Sequence, residues 1–165
     1  MRANIVIKMM ETDEEIKGKA YVHWKSWNEA YKNIVNQEYL SRLTVEKCEE
    51  ITRKYKDNIY VAKDGEKVVG FVSFGEYRGE DLENAGEIYA IYVLEDYYSL
   101  GIGTRLVETA VENLKDFRTI ALWVFKDNSR ARKFYEKCGF LTDGKENTFS
   151  LITPLEEVRM IKTQL

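Results

Sequence analysis

Glu87-Ile88-Tyr89-Ala90-Ile91-Tyr92-Val93-Leu94 runs directly into Glu95-Asp96-Tyr97-Tyr98-Ser99-Leu100-Gly101-Ile102-Gly103-Thr104. The first eight residues are nearly all apolar on both faces, which predicts a central strand covered by helices on each side. From Gly101 to Lys115, Ile102, Leu106, Ala110 and Leu114 recur at four-residue spacing, and Val107 and Val111 widen the stripe. That spacing predicts an amphipathic helix opened by glycines. A strand that turns through glycines into a helix presents unpaired N–H groups and the positive end of a dipole to an incoming anion, so a phosphate or pyrophosphate fits there. The turn has no Gly-Lys-Ser/Thr ending and lacks the full Gly-x-Gly-x-x-Gly, which disfavours a P-loop nucleotidase and a dinucleotide fold.

Upstream, Asn4 to Met9 reads as a short strand. Thr12 with Glu15 forms a capping box before Ile16, Ala20, His23, Trp24, Trp27 and Tyr31, a first helix with an aromatic stripe in which Gly18 is an interruption. Gln37 to Leu43 is a second helical stretch, and Thr44 caps a third over Val45 to Tyr55. Ile59 to Ala62 and Lys67 to Phe74 form a hairpin around Asp64-Gly65, with Gly70 marking a bulge or a close backbone approach. Downstream, Thr119 to Phe125 is a buried strand, and Asn128 caps a helix carrying Ala131, Phe134, Tyr135 and Cys138 that ends at Gly139. Phe140 to Leu151 and Leu155 to Thr163 read as closing strands on either side of Pro154, the sole proline. Alternating strands and helices between antiparallel ends predict one α/β (α+β) domain over residues 1–165, built on a mixed, mostly antiparallel sheet flanked by helices on both faces.

Composition excludes several function classes. A net charge of −3 supplies no cation excess to displace phosphate counterions, so nucleic acid is not an expected partner. Cys48 and Cys138 show no Cys-x-x-Cys spacing, which argues against a disulfide scaffold or zinc ribbon and fits a reducing, cytoplasmic setting. His23 is the one histidine, so multi-histidine metal sites are absent and any histidine-dependent nucleophile would have to use it. The run Ala3 to Ile7 is too short for a signal-peptide core, and the longest charge-free run, Asn147 to Leu155, cannot span a bilayer. A soluble protein without a membrane partner is expected.

Glu87 to Val93, then Tyr98-x-x-Gly101-x-Gly103, then Leu122-Trp-Val-Phe-Lys-Asp-Asn128 with Ala131, Phe134-Tyr135 and Cys138-Gly-Phe140 follow in order. This combination resembles the GNAT superfamily of acetyl-CoA-dependent N-acetyltransferases over roughly residues 4–162. Glu157-Val-Arg159-Met160 is similar to the family's final strand, and Trp24 to Leu43 to its first helices. The family's turn is typically Gln/Arg-x-x-Gly-x-Gly/Ala; here Tyr98 stands first, removing a polar or cationic side chain.

The resemblance implies that Ile91 and Val93, with Tyr92 between them, pair through main-chain groups with the pantetheine arm of acetyl-CoA. Gly101, Ile102, Gly103 and Thr104 would bind the pyrophosphate through N–H groups, with Tyr98, Ser99 and Leu100 lining the approach. Asn128 would bond the pantetheine arm as well as cap its helix, Ala131 and Phe134 would flank it, and Tyr135 would protonate the departing thiolate. Arg130, Arg132 and Lys133 lie where they could reach the phosphates or form a solvated face. An alkylamine with a pKa near ~10 is almost wholly protonated at neutral pH, so a base must free its lone pair. Glu87 and His23 are the two candidates. Trp24, Trp27, Tyr31 and the Tyr89/Tyr92 pair could form an aromatic acceptor pocket or ordinary core. The expected reaction is direct acetyl transfer to a primary amine of a small molecule or peptide, with no metal, by a homodimer joined through the last strands. The alternative is a non-catalytic CoA-binding module of the same fold, which Tyr98 favours.

Overall fold

Local signals set the first helix in place. In the computed structural model, which describes residues 4–164, strand β1 (Ile5–Met9) leads to helix α1 (Asp13–Ala30). Thr12 Oγ1 accepts from the Glu15 amide at 3.1 Å while Glu15 Oε1 accepts from the Thr12 amide at 3.0 Å, the reciprocal capping box. Glu15 is buried and also receives Lys8 Nζ at 2.7 Å and Lys63 Nζ at 3.1 Å, so the cap bolts the helix to the sheet. Burial alone would raise this carboxyl's pKa, but the Lys8, Thr12, Glu11 and Lys63 hydrogen bonds hold it well below the ordinary range. A Cβ at Gly18 would come within 2.6 Å of the Val68 side chain, so the glycine that interrupts the helical pattern lets α1 lie close on the sheet.

Helices α2 (Gln37–Arg42) and α3 (Val45–Lys54) follow, capped by Asn36 and Thr44. Strands β2 (Ile59–Asp64), β3 (Lys67–Glu76) and β4 (Ala85–Val93), helix α4 (Ile102–Asn113), β5 (Thr119–Phe125), α5 (Ser129–Lys137), β6 (Leu141–Leu151) and β7 (Thr153–Thr163) complete the chain. One seven-stranded sheet results, in the order β1-β2-β3-β4-β5-β7-β6, with β4–β5 its parallel pair. Val68 and Phe71 of β3 face α1, whereas a Cβ on Gly70 would point at Leu106 of α4, so these helices cover opposite faces. The main core lies between them, with Val61, Phe71, Leu106, Ile120 and Met160 almost fully buried.

Two irregularities position the site. Ala62 pairs with Gly70 and Lys63 with Val68, leaving Val69 as an extra residue, so both expectations for Gly70 hold: a bulge, and a close approach 3.0 Å from the Tyr92 carbonyl. Ser73 pairs with Ala90 and Phe74 with Ile88, making Tyr89 the extra residue of a bulge in β4. Pro154 requires a correction, because it lies inside β7 and pairs with Ser150, while the hairpin turns at Ile152 with φ of 69°. The β5 ladder ends at Phe125–Glu157, so Pro154 sits where β7 has a neighbour on one side alone and its missing N–H leaves no gap between strands.

Candidate active site

The parallel pairing of β4 with β5 lasts for three residues, Ala85–Glu87 against Thr119–Ala121. Beyond it β4 stays with β3 and β5 stays with β7, so a wedge opens between the facing edges. Leu94 donates its amide to the Val69 carbonyl at 2.9 Å. Since successive main-chain groups alternate between strand edges, those of Val93 and Ile91 turn into the wedge.

The wedge ends at the glycine turn. Ser99 and Gly101 adopt left-handed φ values of 65° and 78°, and Gly101 caps α4 without any side-chain bond. The first helical bond is Arg105 N–H to the Gly101 carbonyl at 3.1 Å, which leaves the amides of Ile102, Gly103 and Thr104 free of helical acceptors. A Cβ at Gly103 would stand 3.1 Å from the Phe134 ring, so glycine also lets α5 close on the turn. Arg130 places its guanidinium 3.7 Å over the Tyr98 ring. Arg130 of α5 thus brings a cation to the ring at position 98, a stack that the expectation of Arg130 near the phosphates did not include.

A cavity of about 690 Å³ occupies the wedge, lined by Ile88–Val93 of β4, Leu122–Phe125 of β5, Asn128, and parts of α1, α5, β6 and β7. Among the proposed cofactor residues, Ile91, Tyr92, Val93, Tyr98, Ser99, Ile102, Gly103, Asn128, Ala131 and Phe134 line it. Leu100, Gly101 and Thr104 do not; Leu100 is exposed at the outer turn. Asn128 Oδ1 accepts from the Ala131 amide at 3.2 Å, which leaves its Nδ2 as a donor without a protein acceptor among the described residues. Tyr135 faces the cavity, and burial, reinforced by Tyr92 and Cys138, raises its hydroxyl pKa well above 10, so it holds its proton.

Trp27 and Tyr31 line the α1 side of the cavity, where the Tyr31 and Tyr92 hydroxyls meet at 3.0 Å and Tyr31 packs edge-on against Phe125 at 4.9 Å. Trp24 lies outside the lining and packs against Tyr21. His23 also lies outside it, because its ring stacks on Tyr92 at 6.2 Å and is flanked by Trp27 and Phe71. Burial and then the Lys19 charge lower its pKa to about 4, so it is neutral and weakly basic at pH 7. Glu87 reaches the cavity but is 2% exposed and clamped: Oε2 accepts from Arg78 Nη2 at 2.8 Å, and Oε1 from the Arg78 amide at 3.1 Å. Arg78 in turn lies 4.3 Å over the Tyr89 ring. Glu29 and Glu95 also line this cavity, and so does Glu157 of β7. Glu157 was visible in the sequence as part of the final strand, with nothing local to mark it as a site residue.

A sheet split between two central strands, with an amide nest at the mouth and a protonated tyrosine inside, is the architecture of an acyl-CoA-using transferase. The profile of the Acetyltransferase (GNAT) family matches residues 21–140, and the chain belongs to that family. It is 36% identical over 122 residues to the uncharacterized N-acetyltransferase YuaI of Bacillus subtilis, covering 70% of this chain and 69% of the relative. A probable N-acetyltransferase of Mycobacterium tuberculosis is 30% identical over 138 residues, covering 79% and 76% respectively. Among solved structures, PH1933 of Pyrococcus horikoshii superposes with a TM-score of 0.76 at 27% identity, over 98% of this chain and 99% of that one. The PaiA N-acetyltransferase of Thermoplasma acidophilum, solved with coenzyme A, has a TM-score of 0.75 at 22% identity with the same coverage. The protein is an acetyl-CoA-dependent acyltransferase rather than a non-catalytic module.

Proposed function

We propose that the protein transfers the acetyl group of acetyl-CoA directly to a primary amine of a small molecule or peptide, both substrates being bound at once. The observation that carries this reading is the wedge, which has unpaired strand edges along its length, free amides at its mouth and the Tyr135 hydroxyl within. Ile91 and Val93 would bond the pantetheine arm as an added strand does, with Asn128 Nδ2 supporting it. The amides of Gly101 to Thr104, with Arg130 beside them, would hold the pyrophosphate.

The amine nitrogen attacks the thioester carbonyl, a C–N bond forms and the C–S bond breaks. Tyr135 donates its proton to the leaving sulfur. Glu87, with both oxygens held by Arg78, contributes fixed negative charge that orients the incoming ammonium. Trp27 and Tyr31 offer ring faces to the same cation. Cys138 takes no part, since burial first, with Glu108 adding, raises its thiol pKa and makes a thiolate scarce.

β6 is an edge strand of the sheet, as is β1 at the other end, and an open edge there supports the expectation of a homodimer through the last strands. Free thiols at Cys48 and Cys138 fit a reducing cytoplasm, and no helix among the described residues is long and apolar enough to cross a membrane. The reaction is tested by incubating protein and acetyl-CoA with a panel comprising an alkylamine, a diamine, a peptide with a free N-terminus and an aminoglycoside. Thiol release and acetylated-product mass are both followed. Amine-dependent product is expected; thiol release without product would refute amine transfer.

A further inference from the structure

We infer that Glu157 is the carboxylate that takes the proton from the acceptor amine, an inference that rests on the amine-transfer reading above. Glu157 stands on β7 directly across from Phe125 of β5 and lines the reaction cavity. Four carboxylates line the cavity: Glu29 of α1, whose Oε1 accepts from the Glu95 amide at 3.4 Å, Glu95 itself just after β4, and Glu87 and Glu157 on the strands, of which the last two differ in their engagement. Glu87 is held by three hydrogen bonds from Arg78. Glu157 receives one, from Asn147 Nδ2 to Oε1 at 3.1 Å, and its Oε2 has no partner among the described residues. A carboxylate locked in a guanidinium fork is a poor proton acceptor, whereas one with a free oxygen on a cavity can take a proton and pass it on.

The surroundings of Glu157 push in the same direction. Partial burial first and then the negative charge of Glu87 raise its pKa, while Asn147 and Arg78 oppose the rise. A carboxyl whose pKa moves up toward neutrality becomes a better general base for an ammonium. The groups that act on it or pair with it are Glu87 of β4, Arg78 of the β3–β4 connection, Asn147 of β6 and the uncharged Phe125 of β5, while Glu29 and Tyr31 of α1 and Glu95 after β4 line the same cavity. On its own strand, Arg159 is committed to Asp143 and Asp81 at 2.6 and 2.7 Å. Lys126 pairs with Glu146 and Glu156, which alternate to the opposite face of their strands.

The proton balance closes with these two groups. Glu157 removes one proton from the ammonium and releases it to solvent, freeing the lone pair that forms the C–N bond. As the C–S bond breaks, Tyr135 protonates the sulfur. The nitrogen's second proton, lost as the amide forms, restores the Tyr135 hydroxyl. Acetyl-CoA and the ammonium become the acetamide, CoA thiol and one released proton.

The test uses the full chain with acetyl-CoA and the four-amine panel described above. Wild type, Glu157→Gln, Glu157→Asp and Asn147→Ala are compared in kcat/KM against pH, with acetyl-CoA Kd measured separately. Glu157→Gln is expected to lower kcat/KM about a hundredfold near neutrality, with unchanged acetyl-CoA Kd and a penalty that shrinks as pH approaches the amine's own pKa. Glu157→Asp retains a base and is expected to recover part of the loss. Asn147→Ala removes a bond that stabilises the carboxylate, so the acid limb of its profile should move to higher pH. A Glu157→Gln variant that binds acetyl-CoA and keeps the wild-type profile would overturn the role of Glu157 alone. Absence of transfer by the wild type to every amine, with acetyl-CoA bound, would overturn amine transfer and this role with it.

Discussion

Arg130 gives the most direct quantitative test of co-substrate binding. Its guanidinium sits 3.7 Å over the Tyr98 ring at the mouth of the wedge, beside the amide nest. A charge-assisted bond from arginine to phosphate contributes about 1.5–3 kcal/mol, and the lower end applies here because Arg130 is solvent-exposed. Arg130→Met should therefore weaken acetyl-CoA binding by about 10–30-fold, at about 1.4 kcal/mol per factor of ten. Tyr98→Leu keeps the charge and loses the stack, about 0.5–1 kcal/mol, so a loss of about two- to fivefold is expected. Titration calorimetry with acetyl-CoA at low and high salt measures both, and the salt dependence should flatten in Arg130→Met. Repeating the titration with the 3′-dephospho form separates the phosphates, since an equal loss there assigns the contact to the pyrophosphate. If Arg130→Met binds within about twofold of wild type at low salt, the guanidinium does not touch the ligand and the reasoning is refuted.

Three further outcomes are expected. Acetyl-CoA at a hundredfold excess over its Kd should stabilise the fold by about 2.7 kcal/mol in thermal unfolding; Gly103→Val, whose side chain would collide with Phe134, should fold and lose that shift. Tyr135→Phe should cut kcat about a hundredfold with acetyl-CoA Kd unchanged, and wild-type turnover in steady-state assays would exclude it as the acid. Lys19 is buried with Thr52 Oγ1 as its hydrogen-bond acceptor at 3.0 Å, and burial lowers its pKa from 10.5 to about 8. The unfolded chain then holds more protons between pH 8 and 10.5, so stability should rise across that window by on the order of 3 kcal/mol. Lys19→Met should remove this slope in denaturant unfolding.

What the sequence disclosed depended on how local each feature is. The Thr12–Glu15 box, the stripe from Ile102 to Leu114 and the Asn128 cap are written within a few neighbouring residues, and the structure forms all three elements. The β3 bulge beside Gly70 was marked by its glycine, but the β4 bulge was not legible, because a register shift is a property of two strands and Tyr89 looks like any strand residue. The Arg78–Glu87 clamp links residues nine apart through an irregular connection, and the Arg130–Tyr98 stack joins two helices' approaches across the wedge. Glu157 needed the crossover that sets β7 beside β5. His23 and Trp24 followed the aromatic stripe of α1 correctly as helix residues, but periodicity gives a face of the helix and does not say how far along it the cavity extends.

The extra residue in β4 divides that strand into two frames that can change independently. Downstream of Tyr89 the frame sets which main-chain groups face the wedge; upstream it sets that Glu87 faces the cavity while Gly86 faces Leu114 and Phe117. Deleting Tyr89 would restore an unbroken ladder, with Ala90 still opposite Ser73, Ile88 opposite Phe74 and Glu87 opposite Gly75. The bulge is thus a spare residue: β4 can shorten by one without turning Glu87 away from the cavity, whereas a further deletion would bring it to the face that Gly86 gives to Leu114 and Phe117, where a lone carboxylate would have to be protonated or would unfold the domain.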